Sequence, residues 1–168
     1  RLSLNLLESE TSWFNRGAYL GEKRVLALSV GFDRQADLAL GETAGRTYRA
    51  WTADALLDHP IGKGALTIEA SFTDARALPQ GLAFAGVPMG GDARMAYLQA
   101  GFVLPCRVGT GRIQIYGRAE RILVTVGDDH SLPSAGVNYL IRGHDLKLTA
   151  DWSRSPRGPR PPSGALTL

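Results

Sequence analysis

The dominant pattern in this sequence is an alternation of apolar and polar side chains with a period of two. Between residues 25 and 33, Leu28, Val30 and Phe32 alternate with Ser29 and Asp33. The same alternation recurs at 51–58, 66–73, 97–104, 113–120 and 146–153. Such a period is typical of β-strands that present one apolar and one polar face. A helical spacing of apolar residues is nowhere sustained for more than about two turns, so the sequence predicts an all-β fold.

The composition of the polar positions indicates which face is exposed to water. The predicted strands are about ten residues long, as a tilted transmembrane strand requires. Their polar face is rich in Ser, Thr, Gly, Gln and Asn, whereas a soluble exterior usually carries more Lys and Glu. We therefore expect the apolar side chains to face lipid and the small polar ones to face a water-filled interior.

Glycine-rich turns separate some of the predicted strands. Short turns are predicted at 62–64, 109–111 and 143–145, and longer links at 36–46, 77–93, 127–134 and 155–163. Short turns on one side and long loops on the other are typical of outer-membrane barrels. The link 8–22 falls on the short-turn side although it is long. We predict about nine strands of a transmembrane antiparallel up-and-down β-barrel, with the first and last strands incomplete.

Composition excludes several other classes. Apolar residues make up 44% and charged residues 21%, and no run approaches the ~20 apolar residues of a membrane-spanning helix. The single cysteine, Cys106, allows neither an internal disulfide framework nor a thiolate metal site. The net charge of +3 is small, and the Lys and Arg residues are scattered along the sequence. We expect no cofactor, no bound metal and no nucleic-acid partner.

Six segments of the sequence resemble strands of one known protein family. Residues 136–153 (GVNYLIRGHDLKLTADWS) are similar to the hairpin near the end of that family, and 98–105 with 111–120 are similar to its "QAGYLLP" and "GRLQPFARYE" strands. Residues 1–7, 19–21 and 24–32 resemble its earlier strands. The family is that of the phosphate-selective porins O and P, and the resemblance implies a 16-stranded homotrimeric pore in the bacterial outer membrane. Such a pore passes small hydrophilic solutes or ions by passive diffusion, with anions such as phosphate among them.

The resemblance also implies how much of a barrel this sequence represents. The sequence lacks an initiator Met, and it begins and ends within strand-like patterns. Bacterial barrels have even strand numbers, so we expect 1–168 to be the C-terminal part of one barrel domain, with seven strands upstream. The family's arginine ladder and constriction loop lie largely in the N-terminal half, so no residue here matches them. The sequence departs from the family at Leu168, where the usual terminal aromatic is absent.

The alternation predicts which ionisable residues line the pore. They are Asp33, Asp54, Asp58, Glu69, Arg118, Glu120, Lys147 and Asp151. Rings of such charges bias which ions enter a pore. Alternatively, the same residues could form ion pairs across neighbouring strands and only keep the interior hydrated. Arg118 is the favoured solute contact, because a guanidinium binds oxyanions through two hydrogen bonds. Arg49 is predicted to lie on the same face of its strand as Trp51. We therefore expect its side chain to extend toward a lipid headgroup and not into the pore.

Two other functions remain open on the sequence. Asp128, Asp129 and His130 lie on a predicted extracellular loop, where an Asp–His pair could activate water in an outer-membrane hydrolase. A soluble lipocalin-like barrel would instead place the apolar face inside, around a small apolar ligand. A solvent-exposed polar turn is the favoured interpretation of Asp128, Asp129 and His130. We expect no catalytic residue and no enzyme activity.

Overall fold

A computed structural model of the chain describes residues 1–9, 19–36, 45–84, 87–125, 128–143, 145–154 and 166–167. Its strands are β1 (Leu2–Asn5), β2 (Val25–Gln35), β3 (Tyr48–Ile61), β4 (Gly64–Phe84), β5 (Val87–Val108), β6 (Gly111–Val124), β7 (His130–Arg142), β8 (Leu146–Ser153) and β9 (Leu166–Thr167). Each strand pairs antiparallel with the next, in the order β1 to β9. The described residues contain no helix, and thus none long and apolar enough to cross a membrane. The predicted all-β antiparallel fold is confirmed.

Tight turns join three of the strand pairs where the sequence predicts them. Gly62 and Lys63 connect β3 to β4, and Gly109 and Thr110 connect β5 to β6. Gly62, Gly109 and Gly143 have φ of 59°, 58° and 55°, a left-handed conformation that glycine adopts without steric cost. These turns lie at one end of the sheet, called here the short-turn end. The opposite end is the long-link end.

The prediction of a loop over residues 77–93 is wrong, because β4 and β5 extend into this range. β4 and β5 continue as a long antiparallel hairpin, with register shifts after Ala75 and after Leu78. Ala77 has a φ of +55°, so the backbone kinks at the first shift and pairing resumes beyond it. The predicted loop at 127–134 is likewise too long, because β7 begins at His130. Along β4 and β5, bulges preserve strand pairing where the alternation of side chains breaks down, which is why the alternation did not reveal this longer hairpin.

The two faces of the sheet differ in burial, because large exposed apolar side chains lie on one face and most of the buried side chains, polar and apolar, lie on the other. On one face, Phe32, Leu98 and Trp152 are 68%, 52% and 53% exposed. On the other face, Ser29 and Asn138 are buried. We call these the apolar face and the polar face. Leu28 and Leu148, which a soluble interpretation would place in a dry core, are exposed on the apolar face.

Contacts that skip a strand show that the polar face is the concave one. The Tyr116 hydroxyl on β6 donates a hydrogen bond of 2.6 Å to the Asp151 carboxylate on β8 and so crosses over β7. Gly136 on β7 lies directly beneath, and a Cβ there would be only 2.5 Å from the Tyr116 oxygen. A side chain at Gly136 would therefore prevent the crossing. Arg1 similarly reaches across β2 to Asp54 on β3.

Candidate functional site

All eight ionisable residues predicted to share one face do so. The pairing registers place Glu69 opposite Gln99, Gln99 opposite Arg118 and Arg118 opposite Ser134, so these positions lie on one face of four neighbouring strands. The pairing registers place the other six residues on the same face, and these are Asp33, Asp54, Asp58, Glu120, Lys147 and Asp151. The parity of the sequence was sufficient for this assignment, because successive side chains of a strand point to opposite faces.

A cavity of about 260 Å³ opens on the polar face near β1 to β5. Its polar lining consists of Arg1, Ser29, Asp54, Glu69, Ser71 and Tyr97. The Arg1 guanidinium forms an ion pair with Asp54 at 3.1 Å and a hydrogen bond with the Ser29 hydroxyl at 3.3 Å. Two carboxylates and one guanidinium therefore surround this space, which is an environment that attracts cations more than anions.

Arg118, the favoured solute contact, already has two partners on the polar face. Its Nε lies 3.4 Å from a Glu120 carboxylate oxygen and donates a hydrogen bond of 3.2 Å to the Ser134 hydroxyl. The guanidinium is still about one third exposed, at 38%. It is thus held in position by Glu120 and Ser134 while part of its surface still faces the concave space.

A chain of amide and hydroxyl groups continues the polar face toward the short-turn end. The Thr149 hydroxyl donates to the Asn138 side-chain oxygen at 2.7 Å, and the Asn138 amide donates to Gln114 at 2.9 Å. Nearer the middle of the sheet, the Tyr97 hydroxyl donates to the Gln99 side chain at 2.9 Å. No buried side-chain nitrogen or oxygen of the described residues lacks a partner. This network keeps a polar lining ordered without exposing unsatisfied groups.

Asp58 lies on the predicted face but not in contact with the concave space. Its side chain is fully buried beneath the turn formed by residues 19–21. The Tyr19 and Gly21 amides donate to its carboxylate at 2.9 and 3.2 Å, and the Thr67 hydroxyl donates at 2.8 Å. The prediction that Asp58 lines an open pore therefore needs correction, since a nearby turn occupies the space in front of it.

Asp33 and Lys147 lie far from the other predicted residues. Asp33 is exposed near the long-link end of β2, and Lys147 is exposed near the short-turn end of β8. The structure thus groups Asp54 with Glu69, and Arg118 with Glu120. Asp151 is joined to Tyr116.

The residues proposed for a hydrolase are placed as in a polar turn. Asp128 and Asp129 are exposed, and the Asp129 carboxylate accepts a hydrogen bond of 3.2 Å from the Val124 amide. Among the described residues, His130 has no hydrogen bond or ion pair to either aspartate. The hydrogen bond from the Val124 amide holds Asp129 beside the end of β6.

Some polar-face residues were not anticipated from the sequence. Tyr97, Tyr116 and Ser134 share the parity of Gln99 and Arg118, so the alternation carried enough information to include them. Arg1 had no such signal, because its ion pair depends on the register of β1 with β2 and on the reach of its side chain to β3. Comparison of the chain with family models, with curated proteins and with solved structures finds no match.

Proposed function

We propose that this chain is part of a transmembrane β-barrel that lets small hydrophilic solutes or ions cross the bacterial outer membrane by passive diffusion. The proposal agrees with the resemblance of its sequence to the phosphate-selective porins, which also suggests a homotrimer. It assigns the chain no catalytic role and no cofactor.

The observation that carries the proposal is the exposure of large apolar side chains across one face of the sheet. Val30 on β2 and Leu98 on β5 are exposed on this face, while Thr67 and Gln114 on the concave face are buried. Water would penalise a contiguous apolar surface of this extent, since soluble monomers rarely expose apolar patches larger than a few hundred Å². A bilayer removes that cost because its hydrocarbon solvates the apolar face.

The length of the apolar face supports the same conclusion. On β2, four outward positions from Leu26 to Phe32 are apolar, and on β5 four outward positions from Ala96 to Phe102 are apolar. Each set spans seven residues. The flanking Arg34 on β2 and Arg94 on β5 have long apolar stems that can extend it toward the 9–11 residues of a tilted transmembrane strand. In a sheet, every backbone group within such a span can pair with a neighbouring strand, as lipid requires.

A cysteine scan of consecutive β5 residues in a bilayer tests the proposal. In a Cys106→Ser background, the variants Leu98→Cys, Gln99→Cys and Ala100→Cys are reconstituted into vesicles and treated with a charged, water-soluble maleimide. We expect the reagent to label position 99 and not positions 98 and 100. A fluorophore at 98 or 100, but not at 99, should be quenched by a quencher attached to lipid chains.

The same variants in aqueous solution provide the matched control. Leu98 and Ala100 are exposed and Gln99 is half-buried, so a soluble domain would be labelled at 98 and 100 with or without vesicles. The labelling pattern must therefore reverse on reconstitution. Unchanged labelling, or a chain that stays dispersed without detergent or lipid, would reject the membrane pore and favour a soluble barrel.

A further inference from the structure

Arginine side chains form a row across the apolar face at its long-link end. Each of five neighbouring strands, β2 to β6, carries an exposed arginine on the apolar face toward the long-link end. The five residues are Arg34, Arg49, Arg76, Arg94 and Arg121. They are scattered through 88 residues of sequence, and only the antiparallel pairing brings them together. Arg34, Arg49 and Arg76 lie at one level of the sheet. Arg94, which is opposite Asp74, and Arg121, which is opposite Ala96, lie nearer the short-turn end.

The registers place three of these arginine residues side by side on neighbouring strands. Arg34 is directly opposite Arg49, and Arg49 is directly opposite Arg76. Residues directly opposite each other on one face have Cβ atoms about 5 Å apart, and like charges in such pairs destabilise a sheet. An anion bound between these side chains would convert the repulsion into attraction.

Carboxylates neutralise one part of the row. Asp74 accepts from Arg76 at 2.7 Å and from Arg94 at 3.0 Å, and Asp92 lies 3.0 Å from Arg76. The Ala77 amide and the Arg76 guanidinium hold the pKa of the Asp92 carboxyl below its usual range, so this group is ionised at neutral pH.

Other arginines of the row have no such partner. Among the described residues, no ion pair involves Arg34, Arg49 or Arg121. Within the part of the chain that the structure describes, the positive charge without an ion-paired carboxylate therefore lies where Arg34 and Arg49 are adjacent, on β2 and β3, and at Arg121 on β6.

Aromatic side chains lie directly beside this charge. Phe32 and Trp51 are opposite each other, one outward position nearer the short-turn end than Arg34 and Arg49. Both rings are exposed, and the Trp51 ring lies 5.2 Å from that of Phe72 in a tilted contact. A ligand that fits both features carries a negative headgroup attached to apolar chains. A soluble anion would leave the aromatic surface in water.

We propose that the row around Arg34 and Arg49 binds the phosphate groups of a lipid headgroup in the membrane leaflet at the long-link end. The site rests on the proposed membrane insertion of the chain. Guanidinium groups bind phosphate oxygens through paired hydrogen bonds, and their apolar stems can lie along the hydrocarbon boundary. Trp51 and Phe32 would lie at the interface beneath the headgroup.

The test compares lipid binding by two variants that each remove two positive charges. The first is Arg34→Gln with Arg49→Gln, and the matched control is Arg107→Gln with Arg142→Gln, two exposed arginines near the short-turn end. Each protein is reconstituted in zwitterionic vesicles and titrated with a glucosamine lipid that carries two phosphate monoesters. We expect the first variant to bind this lipid about tenfold or more weakly than the unmodified chain. The control should bind within about twofold of the unmodified chain.

Three results would overturn the lipid site. One is equal binding by the first variant and the unmodified chain, and another is an equal loss in the control. The third is displacement of the lipid by inorganic phosphate at the same phosphate concentration, which would assign the arginines to a free anion.

Insertion is measured first, in vesicles without the phosphorylated lipid, by the cysteine labelling described above. A chain that fails to insert rejects the proposed function and the lipid site together. A chain that inserts normally but shows no arginine-dependent binding rejects the lipid site alone.

Discussion

The Asp58 carboxylate accepts a hydrogen bond of 2.9 Å from the backbone amide of Tyr19, 39 residues earlier in the chain. The same carboxylate accepts from the Gly21 amide and the Thr67 hydroxyl, so it joins a turn to two adjacent strands. Tyr19 packs against Val25 and Ala27. The turn thereby covers part of the polar face at the short-turn end, where the sequence predicted an unusually long link.

We expect Asp58→Asn to loosen this turn and to lower the free energy of unfolding by about 1–3 kcal/mol. An asparagine has one acceptor oxygen, and its NH₂ group would face the amide of Tyr19 or Gly21, both of which are donors. The loss is measured by urea unfolding of the reconstituted chain. Hydrogen exchange at the Tyr19 and Gly21 amides should accelerate in the same variant.

The control for this prediction is Asp145→Asn, an exposed aspartate in the turn before β8. Its substitution should change the unfolding free energy by no more than about 0.5 kcal/mol. Unaltered exchange at Tyr19 and Gly21 in Asp58→Asn would show that the carboxylate does not hold the turn.

A second prediction concerns Gly136, over which Tyr116 crosses to Asp151. A Cβ at Gly136 would be 2.6 Å from the Ala150 carbonyl oxygen as well as close to the Tyr116 hydroxyl. Because the carbonyl belongs to the backbone, it has little freedom to move away. Gly136→Ala should destabilise the sheet by about 1–3 kcal/mol and displace Tyr116.

Gly117→Ala is the matched control for this substitution. Gly117 lies on the neighbouring strand β6 and on the opposite face, and the nearest atom to a Cβ there is 4.0 Å away. Both variants are compared by urea unfolding in lipid. Equal stability of the two would mean that Tyr116 does not need the space above Gly136.

A third prediction follows from the acidic lining of the polar face. Neutralising three of its carboxylates should shift ion selectivity toward anions, because fixed negative charge favours cations in a pore. The substitutions are Asp54→Asn, Glu69→Gln and Asp151→Asn. Reversal potentials in planar bilayers under a salt gradient measure the shift, whose sign should be that of increased anion permeability.

The control variant removes three acidic groups that lie outside the polar lining. Its substitutions are Glu22→Gln, Asp128→Asn and Asp145→Asn, all at exposed residues. It should leave the reversal potential close to that of the unmodified chain. An equal shift in both variants would attribute selectivity to overall charge and not to the lining.

A fourth prediction concerns acid pH and Asp92, which lies on the extended hairpin beyond the apolar face. The folded pKa of Asp92 is lowered, first by the Ala77 amide and next by Arg76. Its stabilising contribution is therefore complete above the unfolded pKa of about 3.9 and is lost as the pH falls through the lower folded value. The Ala77 amide resonance should shift in this acid range, as followed by NMR.

Asp92→Asn should remove that titration, because an amide side chain does not ionise. Its Ala77 resonance should stay constant over the same acid range. A transition that persists in Asp92→Asn would have to come from another carboxyl group, such as Asp74.

The period of the sequence was enough to locate the central part of six strands, β2 to β6 and β8, and the face on which their side chains lie. Glu69, Arg118 and Asp151 were assigned to one face from parity alone, since alternation along a strand is a local property of extended backbone. The tight turns at Gly62 and Gly109 were predictable for a similar reason, because a positive φ there is a local requirement.

Only the tertiary structure decided which of these side chains meet. The burial of Asp58 depends on a turn from a distant part of the chain, and the continuation of β4 past Ala77 depends on bulges that interrupt the alternation. The adjacency of Arg34 and Arg49 depends on strand register, which is set by pairing between separate segments. A pattern within one strand carries no information about its level relative to the next strand, so charges that look scattered in the sequence can form a continuous row in the sheet.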